Sequence, residues 1–234
     1  MNNLSKRLLV IAQLVHSNNV ADVGCDHGKL AKYLLDNNLV DFVYVSDISQ
    51  ASLNKAIKLL NGYEDKYKSI CCDGLVGYAN CKINECVISG MGGDEIMKII
   101  ANSPIDIDSY ILSPQHNEIL VKRYMLEHGY NILNDIIIKD KHKFYNIVKY
   151  KKIKDVKFYT NSEFDLYFGK DNFKGNADFT EYLEYSKNKI ENILKNIKDT
   201  NIKRNLEKEL ELINLAKGRI DSYEKNVGVS STRY

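Results

Sequence analysis

Apolar and polar positions along the chain follow two different periods, and the switches between them lay out its elements. Short runs rich in β-branched and aromatic residues recur at 20–23, 42–46, 69–72, 85–89 and 110–113, each closed by a polar or glycine-containing turn as strands are. Between them, 29–35, 49–60, 95–101 and 118–128 carry helical spacing. At the N-terminus Leu4, Leu8, Ile11 and Val15 fall on one helical face. Residues 132–138 and 144–150 flank a short charged turn at 139–143 and predict a hairpin.

Five βα repeats followed by an antiparallel hairpin predict an α/β fold, a doubly wound sheet whose last strand runs against the rest. That ending resembles the class I methyltransferase variant of the Rossmann-like sheet. Beyond residue 152 the pattern changes. Residues 158–175 read as a connector punctuated by Gly and Asn. From 179 onward apolar residues recur at near-heptad spacing, first Leu183, Ile190, Leu194 and Ile197, then Ile202, Leu206, Leu210, Ile213 and Ile220. With a break at 199–201, this predicts a helical hairpin and a frayed tail at 228–234. The expected division is a first domain over 1–152 and a helical, coiled-coil-like domain over 153–234.

Composition narrows the classes. No apolar run approaches the roughly eighteen residues of a membrane span. Lys6-Arg7 followed by the apolar 8–12 looks superficially like a secretion signal, but the helical face argues for an amphipathic helix. Five cysteines, an odd set without C-x-x-C, point to reduced thiols in a cytoplasm and to no metal site. A formal net charge of +2 does not announce nucleic-acid binding, so only local basic clusters could serve it.

The candidate chemistry lies where predicted strands end. In Asp22-Val23-Gly24-Cys25-Asp26-His27-Gly28 the glycines are spaced G-x-x-x-G, neither the dinucleotide fingerprint nor a triphosphate loop. Asp22 and Asp26 make this loop a poor cradle for pyrophosphate, which prefers bare amides at a helix start. They suit a ligand with positive charge and hydroxyls, such as S-adenosylmethionine. Asp47, followed by Ile48, is placed to take a ribose diol or to cap the next helix together with Ser49. Asp73-Gly74 suits an adenine amino group, and Gly90-Met91-Gly92-Gly93 leaves a surface open to a cofactor and a flat base. Gln115 and Asn117 carry amides able to hold a nucleobase edge. Because all parallel strands point one way, these clusters converge on one crevice.

Leu4-Ser5-Lys6-Arg7-Leu8, the D-x-G-x-D-H run from Asp22 to His27, Gly90-Met91-Gly92-Gly93 and Pro114-Gln115-His116-Asn117 together resemble the TrmK family. These are bacterial tRNA methyltransferases that methylate N1 of adenine 22 with S-adenosylmethionine. The resemblance spans essentially the whole chain and implies that cofactor, a tRNA substrate and direct methyl transfer. It departs where the family tends to read Gln-Pro-Asn, which leaves Gln115 and Asn117 sharing the base-holding role. Asp26 is the carboxylate expected to stabilise the charge gained by the methylated base. Expected phosphate contacts are Lys6, Arg7, Lys122, Arg123, Lys139, Lys141 and Lys143, with the basic hairpin face at Lys187, Lys189, Lys195, Lys198, Lys203 and Arg204. A monomer is expected, with dimerisation through the C-terminal helices as the alternative. The rival readings are a nicotinamide oxidoreductase, a small-molecule methyltransferase and a non-catalytic cofactor-binding RNA-binding protein.

Overall fold

The computed structural model describes residues 4–153 and 162–227. They fall into two compact units, 4–134 with 145–153 and 135–144 with 162–227. The tail expected at 228–234 lies outside the described residues, as does part of the connector.

The chain opens on α1 (Lys6–Leu14), started by Ser5, whose Oγ accepts from the Leu8 N–H at 3.3 Å. Then follow β1 (Asn19–Val23), α2 (Lys29–Asp36), β2 (Phe42–Asp47), α3 (Gln50–Leu59), β3 (Tyr67–Cys71), β4 (Glu85–Ser89), α4 (Gly93–Ala101), β5 (Ser109–Ser113) and α5 (Glu118–Glu127). The hairpin strands β6 (Tyr130–Asp140) and β7 (Lys143–Lys152) are longer than expected, because a tight turn with Lys141 at φ +58° replaces a five-residue loop. The seven strands are ordered β3-β2-β1-β4-β5-β7-β6, and β7 runs antiparallel to β5. β1 lies between β2 and β4, with Asp22 in register with Val45 and Val87. Ala21, Val23, Cys86, Ile88, Tyr110 and Leu112 alternate into one buried cluster with Ile96, Ile99, Val121 and Met125 of the helices.

At the amino ends of β4 and β5 an ionic cluster is buried and saturated. Lys149 Nζ donates to the Leu14 carbonyl (2.6 Å), to His16 Nδ1 (2.8 Å) and to Glu85 Oε1 (2.8 Å). Glu85 also accepts from the His16 N–H and the Ser109 hydroxyl. This ties the α1–β1 connection to the sheet, and each charge has a partner of opposite sign.

The second unit is built on the outer edge of β6. Alternate N–H groups of that strand donate to side chains: Asp135 to Asp171, Ile137 to Asn172 and Lys139 to Asp178. Asn172 and Asn176 return hydrogen bonds to the Asp135 and Ile137 carbonyls. Side chains thus do the work of a missing neighbour strand and close an edge that would otherwise recruit one. Within the expected connector the structure has a helix, α6 (Glu163–Phe168), capped by Ser162, then a single 3-10 turn at Lys170–Phe173. α7 (Ala177–Leu194) and α8 (Thr200–Val227) form the helical hairpin. Leu183, Ile190, Ile213 and Ile220 are buried with Ile137, Phe168, Phe173 and Phe179. Ile202 is exposed and Ile197 lies past the end of α7, so the heptad pattern over-reaches at the turn.

Replacing Asn172 by Ala removes partners from Ile137, Asp135, Phe168 and Asn176 at once. We expect a loss of stability on the order of 3 kcal/mol, read as a lower melting temperature and faster hydrogen exchange at the Ile137 amide. Unchanged exchange there would contradict the edge-closing role.

Candidate active site

In the first unit, the carboxyl ends of the parallel strands meet around a cavity of about 390 Å3. β1 and its loop contribute Asp22, Gly24, Cys25, Asp26 and His27; the end of β2 contributes Ser46, Asp47 and Ile48. The β3 end supplies Cys72, Asp73 and Gly74, the β4 end Ser89, Gly90 and Met91, and the β5 end Gln115. Arg7 and Leu8 of α1 complete the wall with Lys29, Glu95 and Ile99.

The loop after β1 is shaped by three positive φ angles, at Gly24 (+70°), Asp26 (+49°) and Gly28 (+69°). The N–H groups of Gly24 and Cys25 both donate to the Ser46 carbonyl at 2.9 Å. Asp47 locks the turn from the side: Oδ2 accepts from the Asp26 N–H (3.2 Å) and Oδ1 from the Ser49 N–H (2.8 Å). Ser49 in turn caps α3 at Ser52. A Cβ at Gly24 would lie 2.1 Å from Met91 Cε, so glycine there lets the thioether rest on the loop backbone.

Asp22 is the unusual group. It is only 6 % exposed, and its Oδ2 has no hydrogen-bond partner. Burial, aided by the nearby Asp47 charge and opposed by the Ala31 N–H, raises its carboxyl from 3.8 to about 7. Burial and the surrounding Asp22 and Asp47 also push the Cys25 thiol up, so it stays protonated and is no nucleophile. The cavity wall carries the carboxyls of Asp22, Asp26, Asp47, Asp73 and Glu95 against the fixed cations Arg7 and Lys29. Such a wall repels a pyrophosphate and favours a ligand bearing a cation. The Asp26 carboxylate sits 3.0 Å from His27 Nδ1 at the exposed rim.

Several expected positions serve other purposes. Gly28 does not line the cavity; its missing Cβ admits Ala56 of α3, which would lie 2.8 Å away. Gly92 and Gly93 also stand outside it. A Cβ on Gly92 would meet the His116 ring at 2.7 Å, and one on Gly93 the His116 carbonyl at 2.7 Å. The glycine pair therefore admits the 114–117 loop rather than a ligand, while Gly90 and Met91 face the cavity. Asn117 also lies off the cavity wall, and its amide donates to Asp94 of α4 at 2.7 Å. Gln115 is in the wall, anchored by its own N–H to the Met91 carbonyl (2.9 Å) and by Nε2 to the Gly90 carbonyl (2.6 Å). With Nε2 so engaged, its Oε1 is the end suited to accept from a base.

Of the expected phosphate contacts, Lys122 must be withdrawn: it is 2 % exposed, on the face of α5 that also buries Val121 and Met125. Arg7 belongs to the cavity wall. Arg123, Lys141 and Lys143 are exposed, whereas Lys6 is half-buried. Lys139 pairs with Glu181 and lies over the Phe144 ring. On the helical hairpin Lys187 pairs with Glu191 and Lys203 with Glu207, so part of that basic face is neutralised. Glu95, Ser46, Cys72 and Ile99 were not anticipated as cavity residues; only their places beside the strand ends could have signalled them.

A family profile described as a methyltransferase domain matches residues 4–148. A Mycoplasma genitalium protein named as a candidate tRNA methyltransferase is 32% identical over 162 residues, 64% of this chain and 71% of its own length. Among solved structures, M. capricolum TrmK in complex with its natural cofactor product S-adenosylhomocysteine has a TM-score of 0.82 at 27% identity, covering 93% of this chain and 99% of that one. A Streptococcus pneumoniae protein described as a candidate tRNA (m1A22) methyltransferase shares the fold, with TM-score 0.82 and 23% identity over 92% and 99% of the two chains.

The raised Asp22 carboxyl fixes a sign for stability. Folded, it keeps its proton up to about pH 7; unfolded, it loses it near 3.8. Stability conferred by the protonated form is complete below the lower value and declines as pH rises to the upper one. Asp22→Asn should therefore gain stability relative to the wild type as pH rises from 4 to 7, with no further gain above that. Denaturant titrations of both proteins across this range measure it, and a constant difference would contradict the assignment.

Proposed function

The chain belongs to the methyltransferase-domain family, and on that premise we propose that it methylates N1 of an adenine in tRNA, adenine 22, using S-adenosylmethionine. The observation that carries this reading is the acidic cavity with a buried, unpartnered Asp22 oxygen in its floor. When bound, the cofactor supplies an electrophilic methyl group on a sulfonium. Asp22 fits its cationic end, Asp47 the ribose hydroxyls, and Asp73 with Gly74 the adenine edge, beneath the exposed Ile48 at the rim. The relatives point the same way: the M. capricolum structure holds S-adenosylhomocysteine, and the M. genitalium relative is named for tRNA methylation.

Adenine N1 carries a free lone pair at neutral pH, so the reaction needs no strong base from the protein. The chain's task is to align the base and to stabilise the positive charge the ring acquires. Gln115 is the residue proposed to hold the base: its amide is anchored on Gly90, and Oε1 accepts from the adenine amino group. Asp26, at the rim, provides a negative charge facing the methylated ring. Asn117 positions the 114–117 loop through Asp94 and does not touch the base. N1 lies on the pairing edge, so the nucleotide must be unpaired or turned out to enter. Lys6, Arg123, Lys141 and Lys143 are proposed as phosphate contacts, and binding should weaken steeply with salt. The enzyme would act as a monomer in the cytoplasm, where its tRNA is made.

The test is incubation of unmodified tRNA with the protein and labelled S-adenosylmethionine, followed by nucleoside mass analysis. We expect 1-methyladenosine at position 22; its absence from every tRNA species would overturn the proposal. Gln115→Ala should lower kcat/KM roughly tenfold or more with the Kd for S-adenosylhomocysteine unchanged. Full activity of that variant would remove the role given to Gln115.

A further inference from the structure

We infer that the second unit carries a stacking platform for an unpaired base of the RNA, centred on Tyr185 and backed by Phe144, an assignment that rests on the tRNA reading above. Tyr185 lies midway along α7 and is 55 % exposed. It is held without being buried. The Phe144 ring stands 5.5 Å from it at 41°, and Phe144 meets Tyr182 edge-on, 5.5 Å away at 69°. Tyr182 is in turn stacked on the buried Phe179 at 6.3 Å and 19°. This row of rings runs out from the core and buttresses Tyr185 from one side, while most of the residue stays in water. None of its members is in the wall of the cavity. The base meant is therefore a second one, apart from the adenine that receives the methyl group.

The surroundings favour a nucleotide. Lys139 Nζ lies 5.6 Å over the Phe144 ring, and Lys141, His142 and Lys143 are exposed in the turn leading into Phe144. The glutamates flanking Tyr182 and Tyr185 are already engaged, Glu181 by Lys139 and Glu184 by Lys217. In the turn itself Asp140 is one acid against two lysines and a histidine. An aromatic face inside a cationic fringe suits a base with its phosphates, because every base has a face to stack and the lysines answer the backbone charge. A protein partner needs an interface on the order of 1,000 Å2, and one exposed ring with two half-buried neighbours offers far less. Paired RNA keeps its base faces inside the helix, so the ligand is a nucleotide in a loop or bulge.

The chain contains no tryptophan, so Tyr185→Trp places a single fluorescent reporter on the platform of the full-length protein. Unmodified tRNA should quench its emission, and a blunt-ended RNA duplex should not. In the same binding assay Tyr185→Ala should raise the Kd for tRNA roughly tenfold, with the Kd for S-adenosylhomocysteine unchanged. Tyr185→Phe, which keeps the ring, should stay within about twofold of the wild type. Emission that does not move at a tRNA concentration shown by gel shift to saturate the protein overturns the inference. So does equal quenching by the duplex, or wild-type tRNA affinity in Tyr185→Ala. If the wild type binds no tRNA, the substrate reading falls and the platform with it. If tRNA quenches the reporter but no 1-methyladenosine forms, the platform stands and only the methylation reading falls.

Discussion

Ionising a buried carboxyl group that has no paired cation is costly, and the first unit holds such a group, Asp22, at the centre of its sheet. Asp22 cannot escape, because β1 is flanked on both sides by paired strands and its residues are covered on both faces. The arrangement around it maintains the deficit. Gly24 and Cys25 spend their N–H groups on the Ser46 carbonyl, Asp26 spends its N–H on Asp47, and Asp47 adds a second negative charge nearby. A cationic ligand relieves all of this at once, and an anionic one makes it worse. That asymmetry selects the cofactor class more firmly than any glycine spacing does.

The same sheet supplies a control. At its other end Glu85 and Lys149 are equally buried, yet every charge there is matched and each hydrogen-bonding group has a partner. That cluster holds the N-terminal connection in place, whereas Asp22 is left wanting. Two buried ionic groups in one sheet, one satisfied and one not, separate a structural tie from a binding site. The glycines sharpen the distinction. Gly28, Gly92 and Gly93 exist for close packing against Ala56, His116 and Asn117, and this packing fixes the loops so that Gly90, Met91 and Gln115 form a defined wall.

Local rules made much of this legible. Periodicity located every strand of the sheet to within a few residues, because half-buried and fully buried strands announce themselves by β-branched and aromatic runs. The convergence of Asp22, Asp26, Asp47, Asp73 and Gly90 followed from strand direction alone. Positions whose meaning depends on a distant partner were not legible. Nothing near Lys122 signals that its helix turns that face inward, and nothing near Asn117 signals Asp94. Arg7 looked like one more surface cation until its neighbours, Tyr145 and Gly90, were brought beside it by the fold. The helix at Glu163–Phe168 is a different case: Ser162 followed three residues later by Asp165 was a readable cap, hidden by the glycines and asparagines around it.

If Asp22 is held protonated for want of a cation, a cationic ligand must expel that proton. Titration of S-adenosylhomocysteine into the protein at pH 6, in two buffers of different ionisation enthalpy, counts the protons released. With the carboxyl at about 7 in the free protein, release of roughly 0.9 proton per ligand is expected at pH 6. It should fall toward zero by pH 8.5 and be absent from Asp22→Asn. Binding heats at pH 6 that do not depend on the buffer would contradict the central role given to this carboxylate.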